Sequence, residues 1–297
     1  MRMTTIRPPS VAGSFYPAEP DALATLVARL LTRAGRLAPD AGSRDREVMG
    51  LLVPHAGLVY SGTVAAAGWR LLGMMPEDPP PTVVLLGTNH RASWLRGVAI
   101  WEDGAWRTPF GDVEVDAELA GVVDGLGPPF TVDRVAHVGE HSIEVQLPLL
   151  EAVRPDARIV PLSVAAGTGE AALIAGSRLG EALARYRATG RPVLIAISSD
   201  MAHYPASEAC EGVTDDLLGP LRRLDPVALA SADRRVTDGA TPGLVCGMCG
   251  IQPTVLGLAA LRAFGATRGV SLAAATSADA GGPADRTVGY LSVAFTA

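Results

Sequence analysis

Residues 192–204 read PVLIAISSDMAHY, an apolar run followed directly by a polar turn that contains an aspartate and a histidine. A short run of Val, Leu and Ile without polar alternation is typical of a strand that is covered on both faces. The same pattern occurs at 47–53 (EVMGLLV) and at 82–87 (TVVLLG), and each of these runs also leads into a turn with a histidine. We therefore predict three buried strands with polar side chains at their carboxyl ends.

Helices and further strands are predicted between and after these runs. Helix-like patterns are found at 62–73, 140–154 and 169–187, and further strands at 157–164 and 287–295. Strands that alternate with helices are typical of an α/β protein, so we predict a single-domain α/β/α sandwich with a central mixed, largely parallel sheet. Ligands of such sheets bind at the carboxyl ends of the strands, which is where the histidines fall.

The segment 96–116 has a different pattern, with two turns in close succession. We predict that EDG at 102–104 is a hairpin turn between two short strands and that PFGD at 109–112 is a second turn. The segment is expected to form an antiparallel flap on the main sheet.

The composition excludes several classes of protein. The net charge of −6 and the lack of an arginine cluster argue against nucleic acid as a partner. All 25 basic residues are arginine. The absence of lysine excludes a Schiff-base lysine and the lysine of a phosphate-binding P-loop.

The cysteines and the N-terminus indicate a cytoplasmic protein. Cys210, Cys246 and Cys249 are too few and too unevenly spaced for a disulfide framework, and MRMTTIRPPS lacks the apolar core of a signal peptide. The uncharged stretch 239–261 is long enough to span a membrane, but its glycines, prolines and glutamine indicate a turn followed by a buried helix. We therefore predict no membrane association.

Four of the five histidines lie in short motifs that can fix a side chain for chemistry. In VPHAG, the proline ends the strand and the glycine permits a sharp turn, so His55 can point into the space above the sheet. It can equally hydrogen-bond a carbonyl group and have no further role. In GTNH, we interpret His90 as a metal ligand and Asn89, the only asparagine in the chain, as a turn residue. His137 has no comparable motif.

Asp200 and His203 in SSDMAH are three residues apart, which places them on one face if a helical turn begins here. A carboxylate beside an imidazole fixes its tautomer and raises its basicity, as is usual for a proton-transfer histidine. Alternatively, Ser198 and Ser199 cap an ordinary helix and the aspartate only interacts with its positive end. We favour the functional interpretation.

The segment GEHSIEVQLPLL is predicted to be an amphipathic helix that opens with Glu140 and His141 and carries Glu144 one turn further on. Acidic residues alone fit the positive end of any helix. A cationic histidine is unfavourable at that end, so we predict that His141 is neutral and lines the same cleft.

The CGMCG motif at 246–250 suggests a redox or a zinc site. A structural zinc site needs a second pair of ligands at similar spacing, and the sequence has no second CxxC. A redox dithiol is one interpretation. We favour one cysteine as a soft anionic ligand beside the two imidazoles and the other as a small buried residue.

Six segments together resemble the Memo family, whose bacterial and archaeal members are called AmmeMemoRadiSam system protein B. They are, in chain order, VAGSFYP, VPHAGLVYSG, GTNH, EHSIEVQLP, SSDMAHY and CGIQP. The resemblance implies a single Memo-like domain over residues 7–297. The family is similar in fold to the class III extradiol ring-cleaving dioxygenases, so the same fold is expected here.

The resemblance also implies which residues bind a metal ion. The family's metal-binding histidines match His55 and His90, and its third ligand, a cysteine in a CGxxP context, matches Cys249 rather than Cys246. The dioxygenases hold a non-haem iron with two histidines and a carboxylate, which points to Fe(II), with copper or zinc as alternatives. A thiolate in place of the carboxylate donates more electron density and is itself oxidisable.

The other pocket residues follow from the same resemblance. Asp200 and His203 match an Asp-x-x-His pair that lines the family's pocket, and His141 matches its EHS histidine. We assign these three residues to catalysis, with His203 as the acid or base.

Three functions are compatible with these residues. The leading hypothesis is a metal-binding protein of oxidoreductase type that acts on a small molecule. The second is a non-enzymatic adaptor whose pocket binds a peptide or an anion, and the third is a hydrolase with Cys249 as its nucleophile. The family name implies a pathway shared with radical-SAM and AMMECR1-type proteins, and we also allow for a homo-oligomer.

Overall fold

The computed structural model describes residues 5–37, 47–75 and 78–297. The helices in these ranges are α1 (Pro20–Leu37), α2 (Leu58–Leu72), α3 (Ala117–Asp124), α4 (Leu147–Val153), α5 (Glu170–Arg187), α6 (Ser207–Arg222), α7 (Pro226–Thr237) and α8 (Ile251–Phe264). The strands are β1 (Ile6–Arg7), β2 (Val48–Val53), β3 (Thr82–Thr88), β4 (Gly97–Ile100), β5 (Ala105–Arg107), β6 (Asp112–Glu114), β7 (Phe130–Val132), β8 (Arg158–Ala165), β9 (Val193–Ser198), β10 (Arg268–Thr276) and β11 (Gly289–Thr296).

Eight strands form the central sheet in the order β10-β11-β2-β9-β3-β8-β4-β7. The four strands β2, β9, β3 and β8 are mutually parallel, whereas β11 and β4 pair with them in the antiparallel direction. The predicted mixed, largely parallel sheet is therefore confirmed. Because the central strands are parallel, their carboxyl ends meet at one edge of the sheet.

Helices cover both faces of the sheet, as predicted for an α/β/α sandwich. Along β2, Gly50 faces Leu261 of α8, whereas the next residue, Leu51, faces Gly68 of α2. Successive side chains of a strand point to opposite faces, so α2 and α8 lie on opposite sides of the sheet. Helix α1 and helix α4 pack on α2, and helices α5 and α7 pack on α8.

Two glycines allow α5 and α8 to pack backbone to backbone. A methyl group at Gly176 would overlap the carbonyl oxygen of Leu256, and one at Gly180 would overlap that of Ala260. We expect Gly180→Ala to destabilise the protein by about 1–3 kcal/mol, because the helices would have to move apart. Urea unfolding measures this loss.

Gly212, in the exposed part of α6, is the matched control. A methyl group there has no neighbour within 4 Å, so Gly212→Ala should stabilise the helix by up to about 1 kcal/mol. Equal effects of the two substitutions would contradict the proposed role of Gly180.

Two of the predicted helices differ from the observed ones at their N-termini. Helix α2 begins at Leu58, earlier than predicted from the pattern at 62–73, whereas α5 matches its prediction closely. The predicted helix at 140–154 is reduced to a short 3₁₀ turn at Glu144–Gln146 followed by α4. The reason is a loop: residues 140–142 turn around the carboxylate of Glu140, which accepts hydrogen bonds from the backbone of its own neighbours.

The predicted flap at 96–116 is divided between two sheets. Strand β4 belongs to the main sheet, where it pairs with β8 and β7, while β5 pairs with β1 and β6 in a separate three-stranded sheet. The EDG turn is therefore not a hairpin turn, and that prediction was wrong. The second turn, PFGD, does join the antiparallel strands β5 and β6.

The uncharged stretch at 239–261 contains a turn and most of α8, as predicted. Most residues of α8 are buried against α5, α7 and the sheet. Within the described ranges, the structure contains no helix that is both long enough and apolar enough to cross a membrane.

Candidate metal centre

A cavity of about 630 Å³ opens at the carboxyl edge of the central strands. Its wall includes His55 from the turn after β2, His90 from the turn after β3, and Asp200 and His203 from the segment after β9. In the sheet, Val53 pairs with Ser198 and Leu86 with Ile197, so the three strands end at nearly the same level. The histidine turns that the sequence predicted therefore meet in one place.

Three side chains at the base of this cavity can hold a metal ion together. The ligand atoms of His55, His90 and Cys249 all lie within 4.8 Å of one another. The Sγ atom of Cys249 is 3.2 Å from Nε2 of His55, and two ligands of one tetrahedral metal ion are about 3.5 Å apart when the metal bonds measure roughly 2.0–2.3 Å. The structure thus brings together the three predicted ligands.

His55 is buried and its ring is oriented by a hydroxyl group. Nδ1 lies 2.9 Å from Oγ of Ser198, which turns Nε2 toward the Cys249 thiol. Burial, and then the neighbouring histidines, lower the pKa of His55 well below its usual value. The imidazole is therefore neutral near pH 7, which is the state that binds metal ions.

His90 is held by Glu140, a residue whose role the sequence interpretation missed. The carboxylate accepts from the backbone N–H of His90 at 2.6 Å and contacts Nδ1 of its ring at 3.0 Å. It also accepts from the backbone of His141 and Ser142, each at 2.9 Å. A carboxylate on the far nitrogen of a metal-binding histidine fixes the ring and raises its basicity.

The Glu140 carboxylate is fully ionised in this position. Burial by itself would raise its pKa, but hydrogen bonds and charge from His90, together with the backbone N–H groups, hold the pKa well below its usual range. The sequence did contain a signal, since Glu140 directly precedes His141. An acidic residue at this point also fits the first turn of a helix, and that local interpretation hides its contact with His90.

Cys249 is partly buried, and its Sγ atom lies close to the ring nitrogens of His55 and His90. Burial, and then the negative charge of Asp200, raise the pKa of its thiol well above the usual value. The thiol is therefore protonated in the metal-free protein, and a metal ion that binds here must displace that proton. The adjacent Ser199 hydroxyl lies 4.0 Å from Sγ.

Asp200 and His203 line the cavity, but they are arranged differently from the prediction. Residues 199–206 are not helical, and α6 begins only at Ser207. The Asp200 carboxylate accepts from the backbone N–H of His55 at 2.7 Å and of Ala56 at 3.2 Å. The His203 ring is held by the carbonyl oxygen of Met201, which lies 2.8 Å from Nδ1. Asp200 therefore shapes the His55 turn, and a backbone carbonyl orients His203.

His141 forms part of the cavity wall, as predicted. Its ring stacks on His90 with a centroid distance of 4.7 Å and contacts Phe15 at 4.8 Å. Burial, against the opposing effect of Glu140, lowers the pKa of His141 to about 4, so the ring is neutral at pH 7. It lies in the loop before the 3₁₀ turn and not in a helix.

The remaining wall of the cavity is largely aromatic and aliphatic. It includes Phe15, Tyr60, Tyr204, Val245, Val288 and Tyr290. Cys246 also faces the cavity, and its backbone carbonyl accepts from the N–H of His203, whereas Cys210 is buried elsewhere in the core. A wall of this kind suits a compact apolar or aromatic ligand whose polar end reaches the histidines.

The turn interpretation of Asn89 is supported by its contacts. The side-chain Oδ1 accepts from the N–H of Ala92 and Nδ2 donates to the carbonyl oxygen of the same residue, both at 2.8 Å. The loop that carries His90 is thus closed by its own asparagine.

Comparisons with known proteins agree with these motifs. The Memo-like protein family matches residues 7–294 of the chain. A MEMO1 family protein of Methanopyrus kandleri is 34% identical over 97% of this chain and 98% of the relative. One of Methanothermobacter thermautotrophicus is 33% identical over 96% of this chain and 98% of the relative.

A solved structure supports the fold alone. An uncharacterized protein of Escherichia coli K12 superposes with a TM-score of 0.50 at 18% sequence identity, over 84% of this chain and 99% of its own.

Proposed function

This chain belongs to the Memo family, and we propose that it binds one transition-metal ion through His55, His90 and Cys249. The observation that carries the proposal is the meeting of two imidazoles and a thiol whose ligand atoms lie within 4.8 Å of one another. In both histidines the other ring nitrogen, Nδ1, is engaged by a side chain. Such support of the far nitrogen is characteristic of metal-binding histidines.

We further propose Fe(II) as the metal and a small-molecule oxidation as the reaction. Two imidazoles and one thiolate suit iron, copper and zinc; of these, iron and copper would supply redox chemistry when bound. The three protein ligands leave coordination positions for a substrate. The aromatic wall of the cavity would orient that substrate and keep water away from it.

His203 is the residue that we propose to move a proton. Its Nδ1 contacts a carbonyl oxygen, which can only accept, so this nitrogen carries the hydrogen and Nε2 is free to take a proton from a ligand in the cavity. Asp200 accepts hydrogen bonds from the His55 turn through Oδ1, and His141 stacks on His90. We infer supporting roles for both.

The alternative functions have different support. Burial and Asp200 raise the pKa of Cys249, which is the opposite of the shift that activates a nucleophilic thiol. A non-enzymatic adaptor stays the alternative prediction, and such a protein would keep its ligand affinity after the metal is removed. The pathway partners stay a prediction from the family resemblance, and a homo-oligomer stays a separate prediction.

Elemental analysis of anaerobically purified protein tests the metal site. We expect about one metal ion per chain in the wild type and almost none in His90→Ala, since two ligands hold a divalent ion much more weakly than three. His203→Ala is the matched control, because it changes another histidine of the same cavity and should retain the ion.

Full metal content in His90→Ala would disprove the proposal. Loss of metal in His203→Ala alone would instead place the ion between Asp200, His203 and Cys249, whose ligand atoms also lie within 4.8 Å of one another.

A further inference from the structure

A buried chain of hydrogen bonds leads from the core to His55. It begins at Trp69 of α2, whose indole Nε1 lies 2.9 Å from Oε1 of Gln146. An indole N–H can only donate, so the oxygen of the Gln146 amide must face Trp69. The NH₂ group then points the other way, toward the carbonyl oxygen of Pro54 and the Oγ atom of Ser198, both at 2.9 Å.

The orientation of Gln146 determines the orientation of the Ser198 hydroxyl. Its Oγ atom accepts from Gln146 and lies 2.6 Å from the carbonyl oxygen of Ser142, which can only accept. The single hydroxyl hydrogen must therefore go to Ser142. The third neighbour of Oγ is Nδ1 of His55 at 2.9 Å. Toward this nitrogen the serine oxygen can only accept, so Nδ1 must donate.

We propose that Trp69, Gln146 and Ser198 act as positioning residues that lock His55 in the tautomer with hydrogen on Nδ1 and a free lone pair on Nε2. That lone pair faces the Cys249 thiol at 3.2 Å. The consequence for metal affinity rests on the proposed function; the tautomer itself does not.

We call Trp69, Gln146 and Ser198 the relay. The relay is needed at His55 because the Ser198 hydroxyl that contacts Nδ1 does not by itself select one tautomer. The rings of His90 and His203 contact a carboxylate and a carbonyl oxygen, which can only accept and so select the Nδ1–H tautomer without help. A serine hydroxyl can donate or accept. If it donated to His55, the hydrogen of the neutral ring would move to Nε2 and block the position that binds the metal.

The three residues of the relay are shielded from water, so the direction of their hydrogen bonds is costly to reverse. Trp69, Gln146 and Ser198 are all almost completely buried. Reversing the hydroxyl would leave the Ser142 carbonyl without that hydrogen bond, and a buried polar group without a partner is costly. All three histidines thus present Nε2 toward the cavity.

The tautomer can be measured directly by ¹⁵N NMR of the histidine side chains in the metal-free protein at pH 7. We expect Nδ1 of His55 to show the signature of a protonated nitrogen and Nε2 that of an unprotonated one. Ser198→Ala should produce a mixture of tautomers, and Gln146→Leu a smaller shift in the same direction. Ser198→Thr, which keeps the hydroxyl, should restore the wild-type spectrum.

Metal affinity provides the second measurement. Loss of the Ser198 hydroxyl should weaken binding by about 10–100-fold, as is usual for groups that support a metal-binding histidine, and Ser198→Thr should recover most of that loss. A purely structural role for Ser198 would not move the tautomer signals of a folded variant.

The outcomes separate this inference from the proposed function. Hydrogen on Nε2 of His55 in the wild type, or unchanged tautomers in both Ser198→Ala and Gln146→Leu, would overturn the relay even if metal binds. Retention of metal in His90→Ala together with Nδ1–H in the wild type would overturn the metal site and leave the relay intact. The wild-type spectrum decides the main point even if a variant fails to fold.

Discussion

Glu144→Gln should lower the free energy of unfolding by about 3–5 kcal/mol, because it leaves the buried guanidinium of Arg7 without its counter-charge. Arg7 Nη1 lies 2.6 Å from the Glu144 carboxylate, and both side chains are almost fully buried. The same carboxylate accepts from the backbone N–H groups of Ser10 and Val11 and from the hydroxyl of Tyr16, at 2.8–2.9 Å. A glutamine of the same shape cannot accept all of these hydrogen bonds.

Glu144→Gln should also weaken the proposed metal site. Arg7 donates to the carbonyl oxygens of His137 and Glu140, so the arginine ties the N-terminal segment to the loop that carries Glu140 and His141. When that loop is loosened, the carboxylate that orients His90 is less well positioned. We therefore expect weaker metal binding in Glu144→Gln, measured on the folded fraction at low temperature.

An exposed ion pair provides the control for this prediction. Arg107 and Asp112 form a two-pronged contact at 2.7 and 2.8 Å, but both are solvent-exposed or nearly so. Asp112→Asn should cost less than about 1 kcal/mol, since exposed pairs are screened by water. Urea unfolding at pH 7 measures the stability of both variants. Similar losses of stability in the two would show that burial does not increase the contribution of the Arg7–Glu144 pair.

A second large effect concerns the stability of the protein in acid. His137 is completely buried between Trp101 and Trp106, and its Nε2 lies 3.1 Å from the carbonyl oxygen of Ala99. Burial, and then the charge of Arg7, lower its pKa to about 4. The residue thus belongs to the core, in agreement with the absence of a site motif around it.

The sign of the pH dependence follows from this lowered pKa. Below the unfolded-state pKa of roughly 6.5, His137 binds a proton in the unfolded chain but stays neutral in the native protein. Stability therefore falls as the pH falls toward 4. At still lower pH both states are protonated and the loss stops growing. The full effect of His137 is about 3 kcal/mol, since each pKa unit corresponds to roughly 1.4 kcal/mol.

His137→Gln isolates this contribution, because a glutamine amide can still donate to the Ala99 carbonyl but does not titrate. We expect the variant to lose about 2–3 kcal/mol less than the wild type between pH 7 and pH 4.5. The other titrating groups contribute to both proteins and cancel in the difference. Identical pH profiles for the two proteins would contradict a neutral buried His137.

The central strands could be predicted because their signal is local. Each of β2, β3 and β9 is an uninterrupted apolar run of strand length. This is the pattern expected of a strand that is covered on both faces. The convergence of His55, His90 and Asp200 followed from the same reasoning, since parallel strands end at one edge. The pairing of β4 with β8 was not predictable in this way, because it depends on contacts between distant segments.

The residues that support the site could not be predicted from the sequence for the same reason. Glu140 is 50 positions from His90 in the chain, and Gln146 is 52 positions from Ser198. Each has an ordinary local interpretation, as the first turn of a helix or as a polar residue on its surface. Nothing in their neighbourhood indicates which distant group their hydrogen bonds will reach.

The sequence by itself determined the apolar runs and the turns that end them, and its resemblance to the Memo family identified the three candidate metal ligands. Only the tertiary structure decided which nitrogen of each histidine faces the cavity, because that depends on the hydrogen-bond partner of the other nitrogen. The partners are a hydroxyl for His55, a carboxylate for His90 and a backbone carbonyl for His203. A local pattern specifies burial and backbone direction, whereas hydrogen-bond direction is set where segments from different parts of the chain meet.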